Sequence, residues 1–143
     1  MYKIIRAVCC YFPNRKECFK TAIEKILAES ENYYIKACYE RAELYSKADG
    51  RCITTVGDHY GDPSDALIDK NERFCVTVGC GYIVYLLRPP FEPYTYGNET
   101  ARWYEGDRSA DRTHYIEKVR QLSVDTIELT DENGNIEMIK IFV

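Results

Sequence analysis

The chain has 143 residues, of which 45% are apolar and 29% are charged, a composition typical of a folded globular protein rather than a disordered or collagen-like one. This length matches the usual size of one domain, so we expect a single domain over residues 1–143. The net charge is −4, which argues against general nucleic-acid binding because that needs a broadly basic surface. No apolar run is long enough to cross a membrane, and we expect no membrane association.

Seven cysteines are scattered through the chain without the paired spacing of a zinc site. Their odd number and the lack of a secretory signal pattern favour reduced thiols and a cytoplasmic location. Most of these cysteines are expected to pack as small buried hydrophobes. We expect neither a metal nor a cofactor.

The first third of the chain predicts a strand followed by helices. The run YKIIRAVCCY (2–11) is typical of a buried strand. A capping-box-like start at Asn14 precedes an apolar stripe at helical spacing, formed by Cys18, Phe19, Ala22, Ile23, Ile26 and Leu27. The helical period resumes from Tyr34 to Tyr45, and Asp49-Gly50 supplies a stop. We therefore expect an αα-hairpin broken near Ser30 to Asn32, with one long bent helix as the alternative.

The rest of the chain predicts strands and one further helix. Alternating segments at 51–57, 73–79 and 82–88 indicate strands, the last two joined as a hairpin across Gly79-Cys80-Gly81. Asn133-Gly134 between two alternating runs indicates a C-terminal β-hairpin. Ile116, Val119 and Leu122 have helical spacing and predict a helix over residues 109–122. The expected fold class is α+β, a mainly antiparallel sheet with an N-terminal αα-hairpin, one later helix and a C-terminal β-hairpin.

A long aromatic segment, PPFEPYTYGNETARWYEG (89–106), lies between the last middle strand and the predicted helix. Loops of this length are usually functional or disordered, and this one is too aromatic for a disordered linker. Its aromatic residues are Phe91, Tyr94, Tyr96, Trp103 and Tyr104. They pack against their own sheet, another protomer or a ligand ring. Asn98 is a candidate reader of a base edge or ribose, although an ordinary turn explains Gly97-Asn98 equally well.

Arg108 and Arg112 stand one turn apart at the start of the predicted later helix. Planar guanidinium groups beside free backbone N–H groups suit a phosphate. The alternative is that both arginines form exposed ion pairs with Glu105, Asp107 or Asp111.

A third stretch, GDHYGDPSD (57–65), gathers Asp58, His59, Asp62 and Asp65. Carboxylates around one imidazole can bind a metal or orient a general base. The same residue types are also common in ordinary turns between strands. A small hydrolase around His59 is therefore an alternative function.

The Arg108-x-x-x-Arg112 spacing beside an aromatic segment, in a short chain, resembles the phage Thoeris anti-defence proteins that sequester cyclic ADP-ribose isomers. The resemblance rests on this spacing and on the size of the chain. It implies a non-enzymatic, oligomeric sponge that binds an intact nucleotide second messenger in pockets between protomers, with Arg108 and Arg112 as phosphate ligands. For a phage-encoded chain, the location would be the host cytoplasm.

The leading functional prediction is non-enzymatic sequestration of a small nucleotide-type second messenger, a cyclic ADP-ribose isomer or a cyclic oligonucleotide. The predicted ligand-binding residues are Arg108, Arg112, Phe91, Tyr94, Asn98 and Trp103. A homo-oligomer is expected because five aromatics in one loop are more than a short chain can easily cover. An alternative of another class is a protein–protein inhibitor or immunity protein that acts through the aromatic loop or the acidic C-terminal hairpin.

Overall fold

The computed structural model describes residues 25–98, 100–108 and 114–143, together with the backbone of residues 4–7 and 18–21. These residues form strands and connections, all paired strands being antiparallel. An N-terminal pair consists of β1 (Ile4–Ala7) and β2 (Cys18–Thr21). The part of the chain that is described contains no helix, and hence none that could span a membrane.

Eleven further strands form three sheets. Sheet I contains, in spatial order, β3 (Lys25–Glu29), β4 (Tyr33–Cys38), β5 (Arg41–Ser46) and β6 (Cys52–Asp58). Sheet II contains β10 (Trp103–Gly106), β9 (Gly81–Leu86), β8 (Phe74–Gly79) and β7 (Asp65–Ile68). Sheet III contains β11 (Ile116–Ser123), β12 (Thr126–Asp131) and β13 (Ile136–Lys140).

Sheet II is buried on both faces. Side chains alternate across a strand, so Ile83 of β9 joins one core cluster with Leu44 of sheet I, while Val84 joins a second cluster with Ile127 of sheet III. All six residues of β8 are buried. The nearly complete burial of β8 and β9 follows from this position between two other sheets.

The predicted αα-hairpin is wrong, because the described part of residues 14–49 forms β2, β3, β4 and β5. Tyr34 and Tyr45 are cross-strand partners whose rings stack with centroids 5.1 Å apart. Cys38 faces Arg41, so β4 and β5 are joined by a tight turn. Tyr39 in this turn has a φ of 55°, a left-handed conformation reached without the glycine that usually signals it. The break expected near residues 30–32 is a turn between strands, not between helices.

The predicted later helix is also wrong. Residues 116–123 form β11, and residues 109–113 lie outside the described part of the chain. The pairing of β11 with β12 has a register shift between Ile116 and Lys118, the mark of a β-bulge. The extra residue lets Ile116 and Val119 both face the core, whereas Leu122 is exposed. Because strands stand where the αα-hairpin and the later helix were predicted, the α+β class is corrected to all-β for the described residues.

Other elements are confirmed. The segments predicted at 51–57, 73–79 and 82–88 correspond to β6, β8 and β9, and β8 pairs with β9 across Gly79 and Gly81. The C-terminal hairpin forms from β12 and β13 around the turn that contains Asn133-Gly134. β1 lies within the strand predicted at 2–11.

The cysteines depart from the expected pattern, because one of those described forms a disulfide. Cys38, Cys75 and Cys80 are free, and the first two are buried as expected. Cys52 is disulfide-bonded, so the prediction of seven reduced thiols is wrong there. Its partner is none of these three free cysteines. Disulfides persist mainly in oxidising compartments, and the cysteine argument for a cytoplasmic location is therefore lost.

Because sheet II is buried on both faces, we expect truncation of either of two neighbouring side chains in β9 to destabilise the fold. We expect Ile83→Ala and Val84→Ala each to lower the free energy of unfolding by about 2 kcal/mol or more, since each leaves a cavity in a different core cluster. Val124→Ala, at an exposed position, should stay within about 0.5 kcal/mol of the wild type. Urea unfolding measures all three, and a neutral result for either β9 variant contradicts this architecture.

Candidate functional site

At one end of the molecule the side chain of Arg108 links sheet I to sheet II. At this end β6 finishes at Asp58, the β8–β9 turn is centred on Cys80, and β10 finishes just before Arg108. The Arg108 guanidinium donates from Nη2 to the Asp58 carbonyl oxygen at 2.7 Å and from Nη1 to the Cys80 carbonyl oxygen at 2.8 Å. Its side chain is only 9% exposed. We call this region the Arg108 end.

His59 completes the contacts of the Arg108 guanidinium. Its Nδ1 lies 3.0 Å from Arg108 Nη1 and its Nε2 lies 2.9 Å from the hydroxyl of Thr77 in β8. Arginine can only donate, so Nδ1 accepts and the ring proton sits on Nε2, which donates to Thr77. Burial, reinforced by the Arg108 charge, lowers the pKa of His59 to about 3. The imidazole is therefore neutral at physiological pH.

Glu105 supplies the negative charge beside Arg108. Its Oε2 lies 3.2 Å from Arg108 Nε and also accepts a hydrogen bond from the Tyr94 hydroxyl. The Nε–H itself makes no hydrogen bond of good geometry, so the Glu105 contact is mainly electrostatic. Burial, followed by the bond to Glu105, raises the pKa of Tyr94. The buried cation is thus neutralised within the protein.

Two glycines make room for this network. A Cβ atom on Gly81, whose φ is 78°, would lie 2.2 Å from Arg108 Cγ. A Cβ atom on Gly57 would lie 2.4 Å from the Thr77 hydroxyl. Real Cβ atoms do not approach so closely, and the Arg108 and Thr77 side chains occupy their positions only because glycine stands at 81 and 57.

Exposed tyrosines lie on the connections around the Arg108 end. Tyr39, Tyr60 and Tyr96 are 45%, 75% and 63% exposed. The Tyr96 ring lies against the Arg108 guanidinium, 5.3 Å from its centroid to Cζ, in a cation–π contact. We call Tyr39, Tyr60 and Tyr96 the tyrosine surface.

The loop that carries Tyr60 is fixed to the turn that carries Tyr39. The backbone N–H of His59 donates to the Glu40 carbonyl oxygen at 2.8 Å, and the Gly61 N–H donates to the Glu40 carboxylate at 2.7 Å. Both tyrosines are therefore adjacent in sequence to residues held together by hydrogen bonds. The tyrosine surface consequently stands on an ordered backbone.

The predicted aromatic ligand-binding residues lie mostly in the core between sheets I and II. Tyr94 and Trp103 are buried there in edge-to-face contact, with ring centroids 5.3 Å apart, and Phe91 packs beside them. Asn98 is exposed, and its carbonyl oxygen accepts from Trp103 Nε1 at 2.9 Å. The structure thus brings Tyr94, Trp103 and Asn98 together for packing of the loop on its own sheets.

Of the two predicted phosphate ligands, the structure describes only Arg108. Arg108 is at the Arg108 end, with donors directed at protein acceptors rather than at solvent. Arg112 lies outside the described residues.

The acidic stretch at 57–65 does not surround His59 with carboxylates. The Asp65 carboxylate accepts from the backbone N–H groups of Ala66 and Val119, and so ties β7 to β11. Burial and the Glu40 carboxylate raise the pKa of Asp58, whose carbonyl oxygen, not its carboxylate, contacts Arg108. Among the residues that the structure describes, no three His, Cys, Asp or Glu side chains are placed to hold a metal ion.

Sequence reasoning named Tyr96 among the loop aromatics but missed Tyr39, Tyr60 and the part that Thr77 plays. Gly57, Gly79 and Gly81 were the available signal, because glycines clustered at strand ends often mark a close approach. A Cβ atom on Gly79 would lie 3.4 Å from His59 Nδ1, so all three glycines face this network.

No protein-family model matches the chain, and no curated protein sequence matches it. The function is therefore inferred from the contacts at the Arg108 end.

Removing the Arg108 guanidinium should destabilise the fold. Arg108→Ala leaves the half-buried carbonyl oxygens of Asp58 and Cys80 without their donor, so we expect a loss of about 3–5 kcal/mol in the free energy of unfolding. Arg108→Lys should recover only part of it, because one ammonium group lacks the planar fork. Arg120→Ala is the control, since its exposed pair with Glu128 is worth at most about 1 kcal/mol. Thermal and urea unfolding decide, and a fully stable Arg108→Ala protein contradicts a structural role.

His59 should make stability pH-dependent. The unfolded chain binds this proton near pH 6.5 and the folded chain only near pH 3, so the unfolded state holds more protons between these values. The stability is fully present above pH 6.5 and is lost as the pH falls, at up to about 1.4 kcal/mol per unit. His59→Gln should remove this slope, whereas other titrating groups act in both proteins. Unfolding in urea at about pH 6.5 and about pH 4.5 measures the difference, and equal slopes would refute the assignment.

Proposed function

We propose that the protein is a non-enzymatic binding protein that recognises a protein partner through the tyrosine surface. The observation that carries this proposal is the exposure of Tyr39, Tyr60 and Tyr96 around a buried arginine whose Nη atoms donate to protein acceptors. Tyrosine is enriched at interface hot spots, because it buries a large area with few rotatable bonds and adds a polar hydroxyl.

Contacts beneath the tyrosine surface hold its rings and backbone in place, and this favours recognition. The cation–π contact with Arg108 limits the freedom of Tyr96, and the Glu40 contacts hold the neighbouring loop. A preorganised surface loses less entropy on binding. The buried network is thus interpreted as a scaffold for the exposed rings.

A hydrolase around His59 receives less support from the geometry. Both ring nitrogens are engaged with Arg108 and Thr77, and the side chain is buried. Its low pKa makes it a poor general base near neutral pH. We therefore keep the protein among binding proteins.

Sequestration of a nucleotide-type messenger is the second candidate. The observation that favours it is Tyr96, whose ring contacts Arg108 yet is 63% exposed and so offers area on which a base can stack. Arg108 would have to leave the Asp58 and Cys80 carbonyl oxygens to bind phosphate. This candidate consequently needs another phosphate ligand.

Capture experiments distinguish the two candidates. The wild type, the double variant Tyr60→Ser/Tyr96→Ser and the control Val124→Ser are immobilised and incubated with extract of the cells that express the protein. Val124 is exposed on the β11–β12 turn, away from the tyrosine surface. Mass spectrometry then quantifies the retained polypeptides and any small molecules released on denaturation.

We expect at least one polypeptide to be retained by the wild type and by Val124→Ser, and to fall by about tenfold or more with the double variant, since each hot-spot truncation costs about 2 kcal/mol. Equal retention by all three proteins would overturn the proposal. Release of an intact nucleotide by the wild type but not by the double variant would replace it with the second candidate.

A further inference from the structure

At the end of sheet II opposite the Arg108 end, two arginines occupy neighbouring chain segments. Arg88 follows β9 by two residues, and Arg102 immediately precedes β10. The Leu86 N–H donates to the Arg102 carbonyl oxygen at 2.8 Å, which continues the pairing of β9 with β10 up to these residues. Since β9 is six residues long, about 20 Å separate this end from the Arg108 end. We call Arg88 and Arg102 the arginine pair.

Each guanidinium group of the arginine pair lies against the segment that carries the other. Arg88 Nη2 donates to the Ala101 carbonyl oxygen at 3.2 Å. Arg102 Nη1 donates to the carbonyl oxygens of Arg88 and Pro89, at 3.3 and 3.4 Å. These bonds are long, so they place the two cations near one another without using most of the N–H donors of either group. The arginine pair thus keeps donors available for an outside acceptor.

The arginine pair also differs from other arginines of the protein in its lack of a counter-charge. Four others have a carboxylate oxygen within 3.2 Å of a guanidinium nitrogen, namely Arg51, Arg73, Arg108 and Arg120. In the part of the chain that the structure describes, neither Arg88 nor Arg102 forms an ion pair, and the exposed Glu92 of the same loop pairs with neither. Two like charges held near each other repel, and an anion between them would relieve this repulsion.

The backbone beneath the arginine pair is held in place. The Arg102 N–H donates to the Thr100 hydroxyl at 2.9 Å, and the Tyr85 hydroxyl donates to the Glu92 carbonyl oxygen at 2.6 Å. Arg88 is exposed and Arg102 is half-buried, so both guanidinium groups can be reached from solvent. A site whose cations are already assembled loses less entropy when a ligand binds.

We propose that the arginine pair binds a phosphate group. Its two positive charges match the charge of about −2 that a phosphate monoester carries near neutral pH. The planar forks of two guanidinium groups suit the several oxygen atoms that a phosphate offers as acceptors. A carboxylate has a single charge and two oxygens, and it satisfies only one of the two arginines. This site goes beyond the proposed function, because it includes no residue of the tyrosine surface.

The test is a titration of the full-length protein with inorganic phosphate at about pH 7.5, with sodium chloride keeping the ionic strength constant. Chemical shifts of the backbone N–H groups next to the arginine pair report binding by NMR. We expect saturable binding with a dissociation constant on the order of 1 mM. Arg88→Gln and Arg102→Gln should each weaken binding about tenfold or more, because each removes a charge-assisted contact. Arg102→Lys should also weaken it, since an ammonium group keeps the charge but not the planar fork.

Arg51→Gln is the matched control, since it removes the same charge from an exposed arginine that has a carboxylate partner. It should leave phosphate binding unchanged. Acetate, a monoanion, should bind at least about tenfold more weakly than phosphate. Glycerol phosphate separates two sources of the ligand. Affinity equal to that of inorganic phosphate indicates that the phosphate group alone is recognised, and tighter binding indicates an organic phosphate.

Three results would overturn the proposal. The first is a wild type that shows no saturable phosphate binding, or a double variant Arg88→Gln/Arg102→Gln that binds phosphate as the wild type does. The second is acetate binding as tight as phosphate binding. The third is an equal loss of binding in Arg51→Gln, because it indicates a general effect of net charge. Thermal unfolding confirms that the variants are folded.

Discussion

Burial of sheet II between two other sheets is the constraint on which the Arg108 end depends. A strand covered on both faces has no solvent to satisfy its polar side chains, so the Thr77 hydroxyl of β8 needs a partner inside the protein. His59 is that partner, and Arg108 in turn satisfies His59. A guanidinium at this depth needs acceptors and a counter-charge, which two carbonyl oxygens and Glu105 provide. The network is the consequence of covering both faces of the sheet.

The parts of the fold that could be predicted are the hairpins whose turns carry a glycine signal in the sequence. Asn133-Gly134 and Gly79-Cys80-Gly81 both interrupt alternating runs, and both mark hairpins in the structure. The β4–β5 turn has no such signal, because Tyr39 adopts the left-handed conformation usually left to glycine. In β11 a bulge spaces buried residues three apart, as a helix does, and local periodicity cannot tell the two apart.

The candidate site could be predicted only in part, because the sequence shows the chemistry of each side chain but not whether that side chain is buried. The chemistry of Arg108 suggested phosphate, yet its acceptors are the Asp58 and Cys80 carbonyl oxygens and the His59 ring, all far from it along the chain. Five neighbouring aromatics suggested one surface, yet Tyr94 and Trp103 point into the core while Tyr96 points out. Tyr39 and Tyr60 come from other loops, and only the sheet pairing reveals that they share an end of the molecule.

The position of Arg108 in the chain also determines when its contacts can form. Its acceptor on β6 is 50 residues away, and the guanidinium reaches it only after sheets I and II have docked and β10 has paired. Contacts of such long range are entropically costly to close early, so we expect them to form late in folding. Interactions absent from the transition state act mainly on the rate of unfolding. We therefore expect loss of the Arg108 contacts to raise the rate of unfolding more than it lowers the rate of folding.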